Sequence, residues 1–172
     1  GDYAENSGGF VLARYLADGS LDLGFGTGGV VRTQPDGLAG GAYDAVLLPD
    51  GKILAAGYAE TDGGQYGFAL ARYLGDGSLD TSFDTDGMVV NVSDAQGLVG
   101  YGVAIDGSGQ AIVGGVGRGY QFETDQLALA SYLSDGGLNQ TFGEDGLVLA
   151  GFGKGHDYAR AAALQPDGKI IA

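Results

Sequence analysis

Acidic side chains recur at fixed places in three similar segments of the chain, where their oxygens could hold a metal ion. Asp18, Asp76 and Asp135 occupy matching positions in these segments, and carboxylate oxygens are typical ligands of Ca²⁺. Their spacing is not that of an EF-hand loop. Calcium is therefore the weaker of two interpretations, and the stronger one is an internal ion pair.

The first two segments also place an arginine eight residues before a second aspartate, whereas the third has a serine and an asparagine at these two places. A buried charge without a partner is costly, so the loss of both charges together is what an internal Arg–carboxylate pair predicts. We therefore favour structural ion pairs over calcium. The predicted pairs are Arg14–Asp22 and Arg72–Asp80, and the neutral counterparts are Ser131 and Asn139.

Side chains that could carry catalysis are few. The chain has one histidine, His156, and no cysteine, which excludes a thiolate or multi-histidine metal site within one chain. A polysaccharide-acting enzyme would need two carboxylates about 5 to 10 Å apart, and its candidates are Asp44, Asp94, Glu123 and Asp157. These acids do not occupy equivalent positions, so we predict no enzyme and no cofactor, with such an enzyme as an alternative.

Composition excludes whole classes of partner. The 172 residues carry a formal net charge of -14 with only 8 Lys and Arg, whereas nucleic-acid binders need clustered basic side chains. No apolar run approaches the roughly 18 residues of a membrane span. A hydrophobic content of 44% can build one core, and the regular placement of 36 glycines indicates turns.

The regular glycines belong to an internal repeat. Tyr15, Tyr73 and Tyr132 occupy the same place in three copies, at spacings of 58 and 59 residues. A second motif, LLPDGKILAAG, returns as LQPDGKIIA, and its middle copy is the looser AIDGSGQAIVGG. The first motif reads FVLARYLADGSLDLGFGTGGVV, FALARYLGDGSLDTSFDTDGMVV and LALASYLSDGGLNQTFGEDGLVL in the three copies.

Each copy contains four short apolar runs bounded by Gly and Asp, a pattern typical of strands and turns. Four antiparallel strands repeated at this period predict an all-β fold, a β-propeller with three blade-equivalents in one domain, residues 1–172. In the second copy the predicted strands are Val46–Leu48, Lys52–Tyr58, Phe68–Leu74 and Met88–Val92. The predicted blades are 43–92 and 101–150, with a split blade made of 159–172 and 1–32.

Two motifs of the chain resemble the delta-60 repeat family. The first is FALARYLGDGSLDTSF, followed by an acidic turn and Val-Val, and the second is LQPDGKI. That family occurs in tandem in large bacterial surface and secreted proteins, and the resemblance covers nearly the whole chain. It implies a propeller-like architecture and an extracellular or cell-surface location, in a bacterium. It supplies no catalytic residue.

The two ends of the sequence fit together as one repeat. KIIA at 169–172 followed by GDYA at 1–4 parallels the predicted strand Lys52–Tyr58. A blade split in this way would leave open strand edges, which a second copy can cover. Because closed propellers have four or more blades, we predict a homodimeric six-bladed ring; the alternatives are a head-to-tail fibre and a fragment of a long repeat adhesin.

The PDGK and DGSLD turns repeat almost unchanged, whereas the segments at the other ends of the strands vary and hold most of the tyrosines. Variable segments on a rigid scaffold are where binding residues concentrate. We predict that this face contacts a glycan or a surface protein; the alternative is that its aromatic residues only cover blade ends. The candidate residues are Tyr43, Tyr66, Tyr101, Arg118, Tyr120, Phe122, Tyr158 and Arg160.

Overall fold

The computed structural model describes residues 8–61, 63–93, 96–119 and 124–172, and this part of the chain is built from short antiparallel β-strands. One 3-10 turn, Pro35–Gly37, is the exception. No helix among the described residues is long and apolar enough to cross a membrane. The strands are β1 (Phe10–Ala13), β2 (Val30–Thr33), β3 (Ala39–Leu47), β4 (Ile53–Glu60), β5 (Tyr66–Tyr73), β6 (Met88–Asn91), β7 (Gln96–Ile105), β8 (Ala111–Gly119), β9 (Gln126–Tyr132), β10 (Leu147–Ala150), β11 (Ala163–Leu164) and β12 (Ile170–Ile171).

Two four-stranded sheets form the body of the molecule. The first sheet has the order β3-β4-β5-β6 and the second has β7-β8-β9-β10, so each is a simple up-and-down meander. An amino-terminal hairpin, β1–β2, and a carboxyl-terminal hairpin, β11–β12, form separate two-stranded sheets. All pairings are antiparallel, which confirms the predicted all-β, antiparallel class.

Strand β3, at one edge of the first sheet, is longer than the sequence predicts. We expected a strand only at Val46–Leu48, but β3 runs over Ala39–Leu47, and β7 is longer still. The prediction was wrong because Gly40 and Gly41, which lie within β3, were interpreted as part of a loop. In β3 glycine instead allows close backbone packing, since a Cβ on Gly40 would lie 2.3 Å from the carbonyl oxygen of Tyr58.

Apolar side chains pack between successive sheets. One cluster joins the amino-terminal hairpin to the first sheet and includes Phe10 and Tyr73. A second cluster joins the two four-stranded sheets and includes Phe68 and Tyr132. The repeat tyrosines Tyr73 and Tyr132 are fully buried, while Tyr15 is 63% exposed, because no other sheet of the described residues packs over it.

One type of five-residue turn joins strands at the same end of every sheet. In each, the first N–H donates to the fifth carbonyl over 2.7–2.9 Å, and the fourth residue is a glycine with φ of 82° to 97°, a region that glycine adopts without strain. The altered motif IDGSGQ forms the same turn at Asp106–Gln110. The turns begin at Leu16, Leu48, Leu74, Asp106, Leu133 and Gln165.

Candidate functional site

The three calcium candidates lie in these turns, and their carboxylates already accept hydrogen bonds there. Asp18 accepts from the amide of Ser20 at 3.0 Å and from its hydroxyl at 2.6 Å. Asp76 has the same arrangement, and Asp135 accepts from the amide of Gly137. The serine hydroxyl holds the pKa of Asp18 below its usual value. In the described ranges no three His, Cys, Asp or Glu side chains gather where they could hold a metal ion.

The predicted ion pair of the first sheet is buried. The Nε of Arg72 lies 2.7 Å from the Oδ2 of Asp80, and both residues are 6% exposed. The same guanidinium donates to the hydroxyl of Ser82 at 3.0 Å and to the carbonyl of Ser134 in the second sheet at 2.5 Å. It also lies over the ring of Phe83 at 4.6 Å. Arg72 therefore joins the first sheet to the second.

Lysine is a third member of this cluster that sequence reasoning missed. The Nζ of Lys52 lies 3.0 Å from the Oδ2 of Asp80. Its equivalents in the repeat are Gln110 and Lys169, so the copy that lacks arginine and aspartate lacks lysine too. Comparing all three positions across the copies could have found the cluster.

The pair Arg14–Asp22 repeats this contact at the amino-terminal hairpin with more exposure. Its Nε–Oδ2 distance is 2.8 Å, and the side chains are 38% and 26% exposed. Arg14 donates to the carbonyl of Gly75, as Arg72 does to Ser134. The guanidinium lies over Phe25 at 4.6 Å. Each arginine thus joins one repeat to the next.

The pKa of Asp80 predicts how stability depends on pH. Burial opposes the charged carboxylate, but hydrogen bonds from Ser82, Lys52 and Arg72 outweigh it and hold the pKa of Asp80 well below the usual 3.8. A depressed folded-state pKa gives stability that is present above the unfolded value and lost as pH falls below it. We expect the difference in unfolding free energy between wild type and Asp80→Asn to be constant from pH 7 to about 5. It should shrink below pH 3.8; urea titrations that show no such change would contradict this assignment.

The four aromatic candidates among the described residues all belong to one continuous row, the tyrosine–arginine row. The ring centres of Tyr66 and Tyr58 are 5.5 Å apart, those of Tyr58 and Tyr43 are 5.8 Å apart, and those of Tyr43 and Tyr101 are 5.2 Å apart. Arg160 continues the row, with its guanidinium 5.1 Å from the ring centre of Tyr101. The row consists of Tyr66, Tyr58, Tyr43, Tyr101, Arg160 and Tyr158.

Two β-bulges present the middle of the row. The pairing register shifts between Ala42 and Asp44 in β3 and between Gly100 and Gly102 in β7. The bulged residues are Tyr43 and Tyr101, and bulges characteristically redirect a side chain. Tyr43 and Tyr101 each lie five residues before a five-residue turn, and Arg160 stands at the same distance before the next. Equivalent positions of three repeats therefore meet in space.

Cationic and acidic groups surround Tyr158, which is at one end of the row. Arg160 lies 5.6 Å from the ring centre of Tyr158, whose hydroxyl donates to Asp125 at 2.9 Å. This hydrogen bond raises the pKa of Tyr158, while the positive charge of Arg118 opposes the rise. The ring of His156 stacks on Tyr158 at 6.4 Å. Among the described residues, neither arginine forms an ion pair.

The bulge in β3 depends on a glycine opposite it. A Cβ on Gly57 would lie 1.9 Å from the carbonyl oxygen of Gly41 and 2.9 Å from the Cα of Ala42. We expect Gly57→Ala to lower the unfolding free energy by about 3 kcal/mol, because this backbone must move to admit a methyl group. Gly107→Ala, where nothing lies within 4 Å, is the control and should stay within about 0.5 kcal/mol of wild type. Equal urea midpoints for both variants would refute the role of Gly57.

Several predicted residues do not join the row or fall outside the described residues. Tyr120, Phe122, Asp94 and Glu123 lie outside them. The Oδ2 of Asp44 accepts the amide of Val103 at 2.9 Å, and the Oδ2 of Asp157 accepts that of Phe152 at 2.7 Å. The two enzyme candidates that the structure describes, Asp44 and Asp157, therefore accept hydrogen bonds from backbone amides. The candidates chosen from the sequence omit Tyr58, which stands where a predicted strand meets a variable segment.

The comparison with known families agrees with this architecture. A family model described as a domain of unknown function (DUF5122) beta-propeller matches residues 1–25 and 48–83, just over a third of the chain. No curated protein matches the chain. The matched residues include both turn motifs. Over those residues the chain is similar to a β-propeller family, which agrees with its all-β meander sheets. The match does not name the delta-60 family, to which the motifs bear a resemblance.

Proposed function

We propose that this chain is a non-enzymatic binding module whose tyrosine–arginine row holds an extended glycan. The observation that carries the proposal is the side-by-side placement of Tyr43, Tyr101 and Arg160 at equivalent positions of three repeats. Tyr43 is 56% exposed and Tyr158 is 38% exposed, so rings along the row are accessible to a ligand.

The chemistry of the row favours a sugar chain. Tyrosine offers a flat apolar face for stacking and a hydroxyl for hydrogen bonding, and partial burial together with neighbouring tyrosines raises the pKa of Tyr58. Its hydroxyl therefore stays a neutral donor at physiological pH. Binding is favoured over hydrolysis because the carboxylates of Asp44 and Asp157 are occupied with backbone amides.

The setting of this activity is part of the proposal. The resemblance of the repeat motifs to tandem repeats of secreted bacterial proteins supports an extracellular or cell-surface location. A surface protein that docks on the same row is the competing ligand.

A glycan array tests the proposed function. Labelled wild-type protein should bind a defined set of oligosaccharides, and Tyr101→Ala should lose that set. Leu47→Ala is the control, because Leu47 is 70% exposed and lies outside the row. An array without any wild-type signal, or equal binding by all three proteins, would overturn the proposal.

Assembly is a second candidate function, and it is favoured by the exposure of Tyr15. Its equivalents Tyr73 and Tyr132 are fully buried beneath the preceding sheet. We propose that a second copy covers this surface and that the two hairpins complete a blade, which gives a six-bladed ring with two-fold symmetry. A head-to-tail fibre is the alternative outcome.

A further inference from the structure

The two ends of the tyrosine–arginine row differ in charge. At its acidic end, Glu60 lies directly opposite Tyr66 across the pairing of β4 with β5. At its cationic end, the guanidinium of Arg160 lies 5.6 Å from the ring centre of Tyr158, and the positive charge of Arg118 acts on the hydroxyl of the same tyrosine. A ligand that lies along the row therefore meets opposite charges at its two ends.

The carboxylates near the cationic end are engaged with other groups. The Oδ2 of Asp125 accepts the hydroxyl of Tyr158 at 2.9 Å and lies 3.3 Å from the Nδ1 of His156. The Oδ2 of Asp157 accepts the amide of Phe152 at 2.7 Å. In the part of the chain that the structure describes, no carboxylate forms an ion pair with either arginine of this end, and both arginines are exposed. Both guanidiniums are thus accessible to an acidic group of a ligand.

Basic side chains are scarce in this chain, and most of those elsewhere already hold carboxylates. The sequence has 22 Asp and Glu but only 8 Lys and Arg. Ion pairs are formed by Arg14, Lys52, Arg72 and Lys169. Two exposed arginines beside one tyrosine, without a carboxylate of their own among the described residues, therefore mark a place on an acidic protein that attracts an anion.

Backbone contacts hold Arg160 in position. The preceding residue, Ala159, is buried, and its amide donates to the carbonyl of Gly115 in β8 at 2.9 Å. A Cβ on Gly102 would lie 3.2 Å from the carbonyl oxygen of Arg160, so β7 packs closely against this segment. The backbone at the cationic end is therefore ordered before a ligand arrives, which lowers the entropic cost of binding.

We propose that the tyrosine–arginine row binds a glycan that carries one acidic group at its end, and that Arg160 and Arg118 hold this group. The inference rests on the proposed glycan-binding function and names the class of glycan. An arginine that lies over an aromatic ring keeps the N–H groups at its edge free, and these can donate two parallel hydrogen bonds to a carboxylate or a sulfate. The neutral sugars then lie over Tyr101 and Tyr43.

A single acidic group is favoured over a polyanion by the rest of the surface. The chain has a net charge of -14, and Glu60 stands at the other end of the row, opposite Tyr66. A second acidic group near Glu60 would be repelled, because like charges at short distance raise the free energy of the complex. The row therefore distinguishes the two ends of its ligand.

A glycan array printed with matched sets tests the inference. Each set holds a neutral oligosaccharide, the same chain with one terminal carboxylated sugar, the methyl ester of that sugar, and the same chain with one terminal sulfate. We expect wild type to bind a singly acidic member at least about tenfold more tightly than the neutral members of its set. The member with the highest affinity identifies carboxylate or sulfate as the group.

Salt and two variants locate the attraction. The preference for the acidic member should shrink as salt rises from about 0.1 M to about 1 M, because the screening length falls from about 10 Å to about 3 Å. Arg160→Gln and Arg118→Gln should each reduce the preference, and Arg160→Gln should abolish it. Arg32→Gln is the matched control, because Arg32 is an exposed arginine of β2 outside the row, and it should keep the wild-type preference.

The outcomes separate failure of the inference from failure of glycan binding. Wild-type binding that is equal for acidic and neutral members, or confined to neutral members, would overturn the inference and leave the proposed function standing. An array without any wild-type signal would overturn both. The same acidic preference in wild type, Arg160→Gln and Arg32→Gln would show that the acidic group is held elsewhere, and this too would overturn the inference.

Discussion

Asp80→Asn is expected to lower the free energy of unfolding by about 3–5 kcal/mol, because it leaves the buried guanidinium of Arg72 without its carboxylate. Both side chains are almost fully buried, at 7% and 8% exposure. The carboxylate also holds Lys52, which is then left with Asp50 as its acidic contact. Urea unfolding with linear extrapolation measures the change.

Other repeats supply the controls for this variant. Asp22→Asn breaks the equivalent pair where solvent screens it, so it should cost about 1 kcal/mol or less. The triple variant Lys52→Gln/Arg72→Ser/Asp80→Asn should recover at least half of the loss, because it removes the stranded charges. The triple variant copies the uncharged residues that the second sheet has at these positions, Gln110, Ser131 and Asn139. There the side-chain amide of Asn139 donates to the hydroxyl of Ser131 at 3.3 Å. Equal losses for Asp80→Asn and Asp22→Asn would contradict a buried structural pair.

The double variant Tyr43→Ala/Tyr101→Ala is expected to weaken oligosaccharide binding by up to about 100-fold. Each ring contributes about 0.5–1.5 kcal/mol through stacking, and about 1.4 kcal/mol corresponds to a factor of ten. Titration calorimetry with a soluble oligosaccharide selected on the array measures the affinity of the wild type and of the double variant.

The affinity of this double variant is interpretable only if its fold is intact. Tyr43 is more than half exposed and Tyr101 is partly buried, so urea unfolding of the double variant should show a cooperative transition of a folded protein. Leu47→Ala should bind the oligosaccharide as wild type does. A double variant with unchanged affinity would show that the ligand lies elsewhere.

Sequence reasoning predicted the parts of the fold that are governed by local periodicity. Alternating apolar runs and Asp-Gly turns predicted the strands of the first sheet to within a few residues, apart from β3. β3 was missed because a Gly-rich run has the same composition in a loop and in a closely packed strand. The neighbouring backbone oxygen of Tyr58 is what makes glycine necessary at Gly40.

The tyrosine–arginine row could be predicted only in part, because its Gly-rich surroundings have the same composition in a loop and in a strand. Tyr43 and Tyr101 were selected as members of variable loops, but they are equivalent bulge residues in long strands. Counting back from the turns would have aligned them with Arg160. Tyr58 gave no such signal, because its place in the row is set by cross-strand pairing with Gly41.

The most direct test of the tyrosine–arginine row is an NMR titration of isotope-labelled wild-type protein with the selected oligosaccharide. We expect the largest shift changes at Tyr58, Tyr43, Tyr101 and Arg160, at one end of the sheets. Changes centred on the Asp-Gly turns at the opposite end, or no change with any oligosaccharide of the array, would contradict it.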